Sequence, residues 1–489
     1  MNTLLNAMKN ETNFSRTTNG ALAHKSTLNA VYDMFAFGGA YRLRSNDDVL
    51  ALFSKAFIEN STYALKCLFY LRDIRGGQGE RRFFRLCVKW LAKNYPEVIK
   101  RNISNFPEYG RWDDLYELVG TPCENEAFNF MKKQLELDST CKTPSLLAKW
   151  LKSENTSSKE TQRLGALTRS HFNMSPRQYR KTLSTLRSRI NIVEKLMSEN
   201  RWDEIEFDKI PSRAGLIYKN AFARRDILKQ KYEKFAKDET KKVNAKVLNP
   251  VDIALKIYGL SGLNVKTSFS EVDRLMYQKY WDNLKDYYNG RQENGIAVVD
   301  VSGSMYGQPL AAAVSMGAYI AERGHGPFAN HFITFSNHPE LVEFEGVDIV
   351  DKFFRAKNAS WNMSTNIQGV FNLLLNNAVK NLIPQSEMPE RIYIFSDMEF
   401  NRCTGLYSNG EMETLLERIA KQWAVYGYTI PHLIFWNLDA RQENIPALNG
   451  RFSYVSGFSM NMIETILSGK DGYDLMMMKL DNSRYEVIR

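Results

Sequence analysis

The sequence predicts two unlike parts. An α-helical array covers residues 1–290, and a doubly wound α/β domain covers 291–470. A tail at 471–489 is expected to pack back on the body. Three observations carry this. Over the first part, apolar residues recur at steps of three and four, the period of a helix with one buried face. At Gln292-Glu293-Asn294-Gly295 the pattern changes to short Val/Ile-rich runs alternating with helical stretches, which is how a mainly parallel sheet reads in sequence. Charge divides the same way: residues 1–290 carry 49 Lys+Arg against 33 Asp+Glu, a net of +16, and the remainder nets −6.

With 489 residues, 44% of them hydrophobic and 12% aromatic, the chain is long and apolar enough to bury a sizeable core. No apolar run approaches the roughly 18 residues of a membrane span. The first twenty residues lack the basic and apolar regions of a secretory signal. These features predict a cytoplasmic protein with no membrane partner, read as a monomer. Five cysteines (67, 87, 123, 141 and 403) make an odd number without a CxxC spacing, which suits reduced thiols and argues against zinc.

In the helical part the clearest stripe is Tyr179, Leu183, Leu186, Ile190, Val193 and Met197, spaced to lie on one buried face. Ser175-Pro176 supplies its start, with serine as N-cap and proline at the first helical position. The other faces carry Arg177, Arg180, Lys181, Arg187 and Arg189. A second basic helix is predicted over 80–94, displaying Arg81, Arg82, Arg85 and Lys89, and a third around Arg224 and Arg225. Gly110-Arg-Trp-Asp-Asp-Leu115 and Asn200-Arg-Trp-Asp-Glu-Ile205 echo each other and each suits a turn. The glycine-rich stretch Arg72–Arg82 lacks the Lys-Ser/Thr ending of a phosphate-binding loop and has no strand before it. It reads as a helix-helix turn exposing arginines. Basic helices with interleaved aromatics (Tyr179, Tyr218, Phe222, Tyr232) suit phosphates and unpaired bases. The same aromatics at helical spacing also suit a plain core.

In the second part, Gly295–Val301 is a predicted strand and Leu310–Glu322 a helix. Phe332–Phe335 and Leu341–Phe344 form a predicted hairpin, Thr365–Ala378 a helix, and Arg391–Ser396 a buried strand. Glu411–Tyr426 follows as helix, His432–Trp436 and Phe452–Val455 as strands, and Met460–Leu467 as helix. Asp300, Ser302 and Ser304 stand at the carboxyl end of the first strand, where open α/β sheets bind ligands. Ser364-Thr365-Asn366 and Ser396-Asp397 can reach the same crevice. Together Asp300, Ser302, Ser304, Thr365 and Asp397 offer an all-oxygen shell suited to a hard divalent cation: Mg²⁺ first, with Mn²⁺ and Ca²⁺ compatible.

Asp300-x-Ser302-x-Ser304, then Thr365, then Asp397 resembles the metal-ion-dependent adhesion site of von Willebrand factor A domains. That resemblance implies that the hydroxyls touch the metal, that the aspartates act largely through water, and that one position stays open for a partner's carboxylate. The first part is similar to the helical module of the Ro/TROVE RNA-binding proteins and their uncharacterised phage, bacterial and plant relatives. The residues behind this are Thr18-Asn-Gly20, Asp73-Ile-Arg-Gly-Gly77, Tyr109-Gly-Arg-Trp-Asp-Asp114, Leu147-Ala-Lys-Trp150, Ser153-Glu-Asn-Thr156, Tyr179-Arg-Lys-Thr-Leu183 and Pro211-Ser-Arg213. It implies HEAT-like repeats, closed into a ring in Ro proteins, that hold single-stranded RNA ends and structured small RNA.

The resulting expectation is a non-enzymatic RNA-binding protein, a ribonucleoprotein component with a metal site for partner docking. A protein-interaction module with purely scaffolding helices is the alternative. A metal-dependent hydrolase or nuclease is disfavoured because no His or Lys stands near the loops as a general base, leaving Asp397-Met398-Glu399 to supply one.

Overall fold

The computed structural model describes residues 12–190, 192–259, 268–335, 338–358, 365–401, 414–448 and 450–489. Cys403 and Ser364 lie outside them. The chain forms two compact units, and their boundaries differ from those expected. One unit comprises Met1–Cys67 with Ala245–Asn482, the other Leu68–Asn244 with Ser483–Arg489. Residues 1–67 and 245–290 therefore belong with the α/β part and not with the helical array, and the tail is divided at 482/483.

The α/β unit begins with a two-stranded antiparallel ribbon, β1 (Phe14–Arg16) and β2 (Leu22–His24). Its main sheet holds β3 (Gly295–Asp300), β4 (His331–Phe335), β5 (Leu341–Glu343), β6 (Arg391–Ser396), β7 (His432–Asn437) and β8 (Phe452–Ser456). Their order is β5-β4-β3-β6-β7-β8, parallel throughout except for the antiparallel β4–β5 hairpin. Val/Ile-rich central strands buried on both faces account for the uninterrupted apolar runs in the sequence. The chain winds outward through β4 on one side of β3 and through β6, β7 and β8 on the other, so the order reverses between β3 and β6. That is where such sheets open a ligand crevice.

The helix Gln308–Arg323 packs on this sheet through small residues: a Cβ at Gly317 would come within 2.4 Å of Val299 Cγ2. The helix Ala30–Phe37 covers β8, where Tyr454 N donates to Tyr32 Oη at 3.1 Å and Gly39 N to Ser456 Oγ at 2.9 Å. A Cβ at Gly39 would lie 2.7 Å from Ser456 O, which explains a glycine there. These long-range contacts are the reason residues 12–67 join the sheet; nothing local in their pattern announces it.

The helical unit matches the sequence reading in outline. Arg81–Asn94 and Pro176–Arg189 are helices, the latter opened by a Ser175/Gln178 capping box with Pro176 at its first position. The long stripe is interrupted: Ile190 closes that helix, and Val193 starts a separate one, Val193–Ser198. Both tryptophan echoes are 3₁₀ turns, Trp112–Leu118 and Trp202–Glu204. The glycine-rich stretch is the expected helix-helix turn, with Gly77 packed so closely that a Cβ would sit 1.9 Å from Tyr70 O. Arg72, expected to be exposed there, is instead buried and bonded to Asp114 through Nε at 2.8 Å and Nη2 at 2.7 Å. Residues Ser483–Arg489 dock in this unit: Arg484 Nη2 donates to Asp73 Oδ1 at 2.8 Å and Tyr485 Oη to Asp73 Oδ2 at 3.0 Å. No helix among the described residues is long and apolar enough to cross a membrane.

Candidate functional site

The parallel register sets Val299 beside Phe395, which brings the next residues, Asp300 and Ser396, together at the carboxyl ends of β3 and β6. Ser396 Oγ donates to Asp300 Oδ2 at 2.5 Å, and Ser302 N donates to Asp300 Oδ1 at 2.9 Å. The Ser302 and Ser304 hydroxyls lie 2.9 Å apart, and the Ser304 hydroxyl offsets part of the rise in the Asp397 pKa. Asp397 Oδ1 accepts from Glu399 N at 3.2 Å, while its buried Oδ2 has no partner among the described residues. The turn is tight: Met398 adopts φ 66° and donates its N–H to Ser396 Oγ at 3.1 Å.

Asp300 and Asp397 are both fully buried. Burial, and then the neighbouring Asp300 carboxylate, push Asp397 up to about 7; burial likewise raises Asp300. Two enclosed carboxylates with one orphaned oxygen are what a dication would relieve. Among the described residues, no three His, Cys, Asp or Glu side chains gather into a metal-binding group. The oxygens gathered here, from carboxylates and hydroxyls, are of the kind that could hold a hard cation.

The structure joins Asp300, Ser302 and Ser304 by hydrogen bonds, and Asp397 directly follows Ser396, which bonds Asp300. Thr365 stands one link away. Its hydroxyl lies 2.7 Å from Glu399 O and 2.9 Å from Asn401 Oδ1, and its carbonyl accepts from Asn401 N at 3.0 Å. Glu399, the remaining acid–base candidate, has both oxygens engaged: Thr18 N donates to Oε2 at 2.6 Å and Asn444 Nδ2 to Oε1 at 3.0 Å. It is a bracket for the loop.

Sequence reasoning missed the contribution of residues 17–20. Thr17 Oγ1 donates to Phe400 O at 2.6 Å, and Asn19 Nδ2 donates to Glu399 O at 2.6 Å and Thr365 Oγ1 at 3.1 Å. Gly20 forms an antiparallel bridge with Asn401. The only signal was the Thr18-Asn19-Gly20 motif itself, whose partner lies over 340 residues away. Arg441 was missed as well. Half exposed, it donates to the Ser304 carbonyl and reaches Asp439 at 3.4 Å.

The basic candidates separate into two groups. Arg177, Arg180 and Lys181 are exposed on the helix Pro176–Arg189, and Arg81, Lys89, Arg224 and Arg225 are exposed elsewhere in the unit; Arg82 is half-buried. Arg225 lies over the Trp202 ring at 4.7 Å. The others are structural. Arg85 is held by Asp113 at 3.0 Å, Asp114 at 2.7 Å and Glu117 at 3.2 Å. Arg189 reaches the Asp138 and Ser139 carbonyls at 3.2 Å, closing the end of the helix Glu124–Thr140. Arg187 donates to Ala148 O, Ser153 Oγ and Leu151 O at 2.8–2.9 Å, with burial lowering its pKa. It and Arg180 line a cleft of about 550 Å³.

Three of the four interleaved aromatics are withdrawn from stacking, and Tyr218 is half-buried beside Phe222. Tyr179, Phe222 and Tyr232 are buried core, the last two packed on Phe207.

Comparison with known proteins gives the family and the fold. A family described as a domain of unknown function (DUF2828) matches residues 17–164 and 138–289, and a second (DUF7788) matches 294–485. An uncharacterized protein of Acanthamoeba polyphaga mimivirus is 32% identical over 511 residues, spanning 95% of this chain and 86% of that protein. The crystal structure of the Deinococcus radiodurans Ro (RSR) protein covers 93% of this chain and 99% of its own, with a TM-score of 0.50 and 14% identity. The fold is thus Ro-like, helices followed by a mixed sheet with parallel strands, and the chain belongs to the DUF2828 family.

Proposed function

We propose that this protein is a non-enzymatic RNA-binding protein of the Ro type, and that its α/β unit is a von Willebrand A domain with a metal-ion-dependent adhesion site. The observation that carries the RNA reading is where the charge lies. Counted over the compact units, Leu68–Asn244 with Ser483–Arg489 holds 38 Lys+Arg against 24 Asp+Glu, a net of +14. The α/β unit holds 27 against 31, a net of −4. The basic excess therefore belongs to the helical unit alone, as it belonged to residues 1–290 of the sequence. A polyanion is the partner such a unit suits. The Ro-like fold supports RNA as that polyanion, as single-stranded ends or structured small RNA.

Arg177, Arg180 and Lys181 are the phosphate contacts best placed for it, because they are exposed and make no ion pair among the described residues. In the α/β unit, Asp300, Ser302, Ser304 and Asp397 would hold a divalent cation, Mg²⁺ by preference, with Thr365 beside them. Such an ion supplies Lewis acidity toward an anionic group of a partner, and Arg441 at the rim adds a second positive charge to that face.

Binding of a single-stranded and a structured RNA, followed across a salt series, tests the RNA reading. Affinity should fall steeply with salt, and reversing Arg177, Arg180 and Lys181 to Glu should weaken it at least about tenfold at low salt. Negligible affinity at low salt, or no response to the substitutions, overturns it. RNA remaining intact through prolonged incubation with Mg²⁺ or Mn²⁺ is the expected outcome for a protein that binds and does not cut.

A further inference from the structure

We infer that Tyr95, backed by Trp90, is a stacking platform for one unpaired base, with Lys89 and Lys93 for the adjoining phosphates. The inference rests on the RNA reading above and names a contact separate from Arg177, Arg180 and Lys181.

The aromatics interleaved in the other basic helices are buried or half-buried, so the bases of a bound strand need a different surface. Tyr95 is 44% exposed, and no other aromatic side chain is exposed among the described residues of the helical unit. Its ring packs on Trp90, itself half-buried, with centroids 5.6 Å apart and planes tilted by 46°. The indole supports one part of the phenol ring, and the exposed remainder is where a base can stack.

The main chain fixes the place. Tyr95 N donates to Leu91 O at 2.6 Å and closes the helix Arg81–Asn94, and Pro96 opens the next helix, Pro96–Asn102. The backbone alone does this capping, so it gives no reason for an aromatic side chain in water at the junction.

The charge nearby has the sign that a nucleotide requires. The helix Arg81–Asn94 carries five Lys or Arg and no Asp or Glu. Arg85 is held by carboxylates, whereas Lys89 and Lys93 are exposed and close no ion pair among the described residues. These two lysines stand one turn apart, about 6 Å along the axis, and Trp90 directly follows the first. Aromatic surface beside two cations matches a flat base beside its phosphates. Every base has a π face, so the ligand class is an unpaired nucleotide of any sequence.

Binding of a single-stranded RNA and of an abasic strand of equal length, each across a salt series, tests this. Tyr95→Ala should weaken RNA binding at least about fivefold and leave the salt slope unchanged, since no charge is removed. The abasic strand should lose less than about twofold, because it has no base to stack. Tyr95→Leu keeps an apolar cover on Trp90 and should lose RNA affinity as Tyr95→Ala does, while Tyr95→Phe should retain it. Replacing Lys89 and Lys93 together by Ala should reduce the salt slope by about 1.4, two single-strand phosphate contacts.

Unchanged RNA affinity in Tyr95→Ala and Tyr95→Leu overturns the inference, and the RNA reading stands if reversal of Arg177, Arg180 and Lys181 still weakens binding. An equal loss on the abasic strand also overturns it, because the ring would then shape the helix end without meeting a base. No binding of either strand by the unsubstituted chain overturns both.

Discussion

Ser396 Oγ donates to Asp300 Oδ2 at 2.5 Å across two neighbouring parallel strands, so the carboxylate at the end of β3 is aimed by the last residue of β6. Asp300 is fully buried, and its other oxygen accepts from Ser302 N. Ser396→Ala leaves a buried carboxylate oxygen without its donor, at a cost of about 1–3 kcal/mol. The expected result is a lower melting temperature of the metal-free protein and a Mn²⁺ affinity reduced about tenfold or more. Thermal melts with and without Mn²⁺ check it. An unchanged affinity would show that Asp300 does not depend on this neighbour for its aim.

Asp114 is the centre of the helical unit's ionic network. It accepts from Arg72 Nε at 2.8 Å, Arg85 Nε at 2.7 Å and Arg111 N at 3.0 Å, and it is fully buried. Asp114→Ala strands the buried Arg72 guanidinium and should destabilise the unit by about 3–5 kcal/mol. Arg85→Ala should act in the same direction while leaving the RNA affinity of the protein that remains folded within about twofold. Denaturant melts and filter binding on the same preparations separate the two effects. A large affinity loss in Arg85→Ala without destabilisation would return that arginine to the RNA surface.

Arg180 and Arg187 share a helix and a cleft but not a role. Arg180 is exposed, whereas Arg187 places three donors on Ala148, Leu151 and Ser153. Arg180→Ala should lower RNA affinity and reduce the salt slope by about one phosphate contact, with little change in stability. Arg187→Lys keeps the charge but loses the planar fork that spans three acceptors, so it should destabilise by about 1–3 kcal/mol. Melts and salt-dependent titrations on the two variants should give opposite patterns. Matching losses of affinity would place both guanidinium groups on the RNA.

What the sequence disclosed and what it hid follow one rule: local periodicity is visible and remote pairing is not. The strand β6 was read with its observed bounds, and β3, β4 and β7 to within a residue or so, because buried parallel strands are continuous apolar runs. Asp300, Ser302 and Ser304 were legible because three oxygens follow one strand. Asp397 was legible because it follows another strand. The docking of Ala30–Phe37 on β8 was not, since a helix apolar almost all round announces burial without naming its partner. That Arg85 and Arg187 are held by protein groups was hidden for a related reason. Helical spacing says which face an arginine leaves from, and only the fold says that carboxylates or carbonyls meet it there.

His432 gives the fold a pH response of definite sign. It is fully buried on β7, with Nε2 2.9 Å from Ser453 Oγ and Nδ1 without a partner among the described residues. Burial, then the positive charges of Arg451 and Arg391, lower its pKa from 6.5 to about 4. Between these values the unfolded chain binds a proton that the folded chain refuses. Stability from this group is therefore complete above pH 6.5, falls as pH drops toward 4, and levels off below it, an amplitude on the order of 3 kcal/mol. Asp33 works the other way, since burial lifts its carboxyl to about 6 and acidification from 6 to 4 favours the folded state. Asp397, lifted to about 7, and Asp300 act in the same direction as Asp33, and the net profile of the protein mixes all of these. His432→Gln keeps a side chain able to bond Ser453 and removes the titration. The difference in unfolding free energy between the unsubstituted chain and His432→Gln should then shift toward the variant as pH falls from 7 to 4, while the aspartate contributions cancel. Paired melts across that range measure it, and a difference that stays constant with pH would mean that His432 is protonated inside the fold.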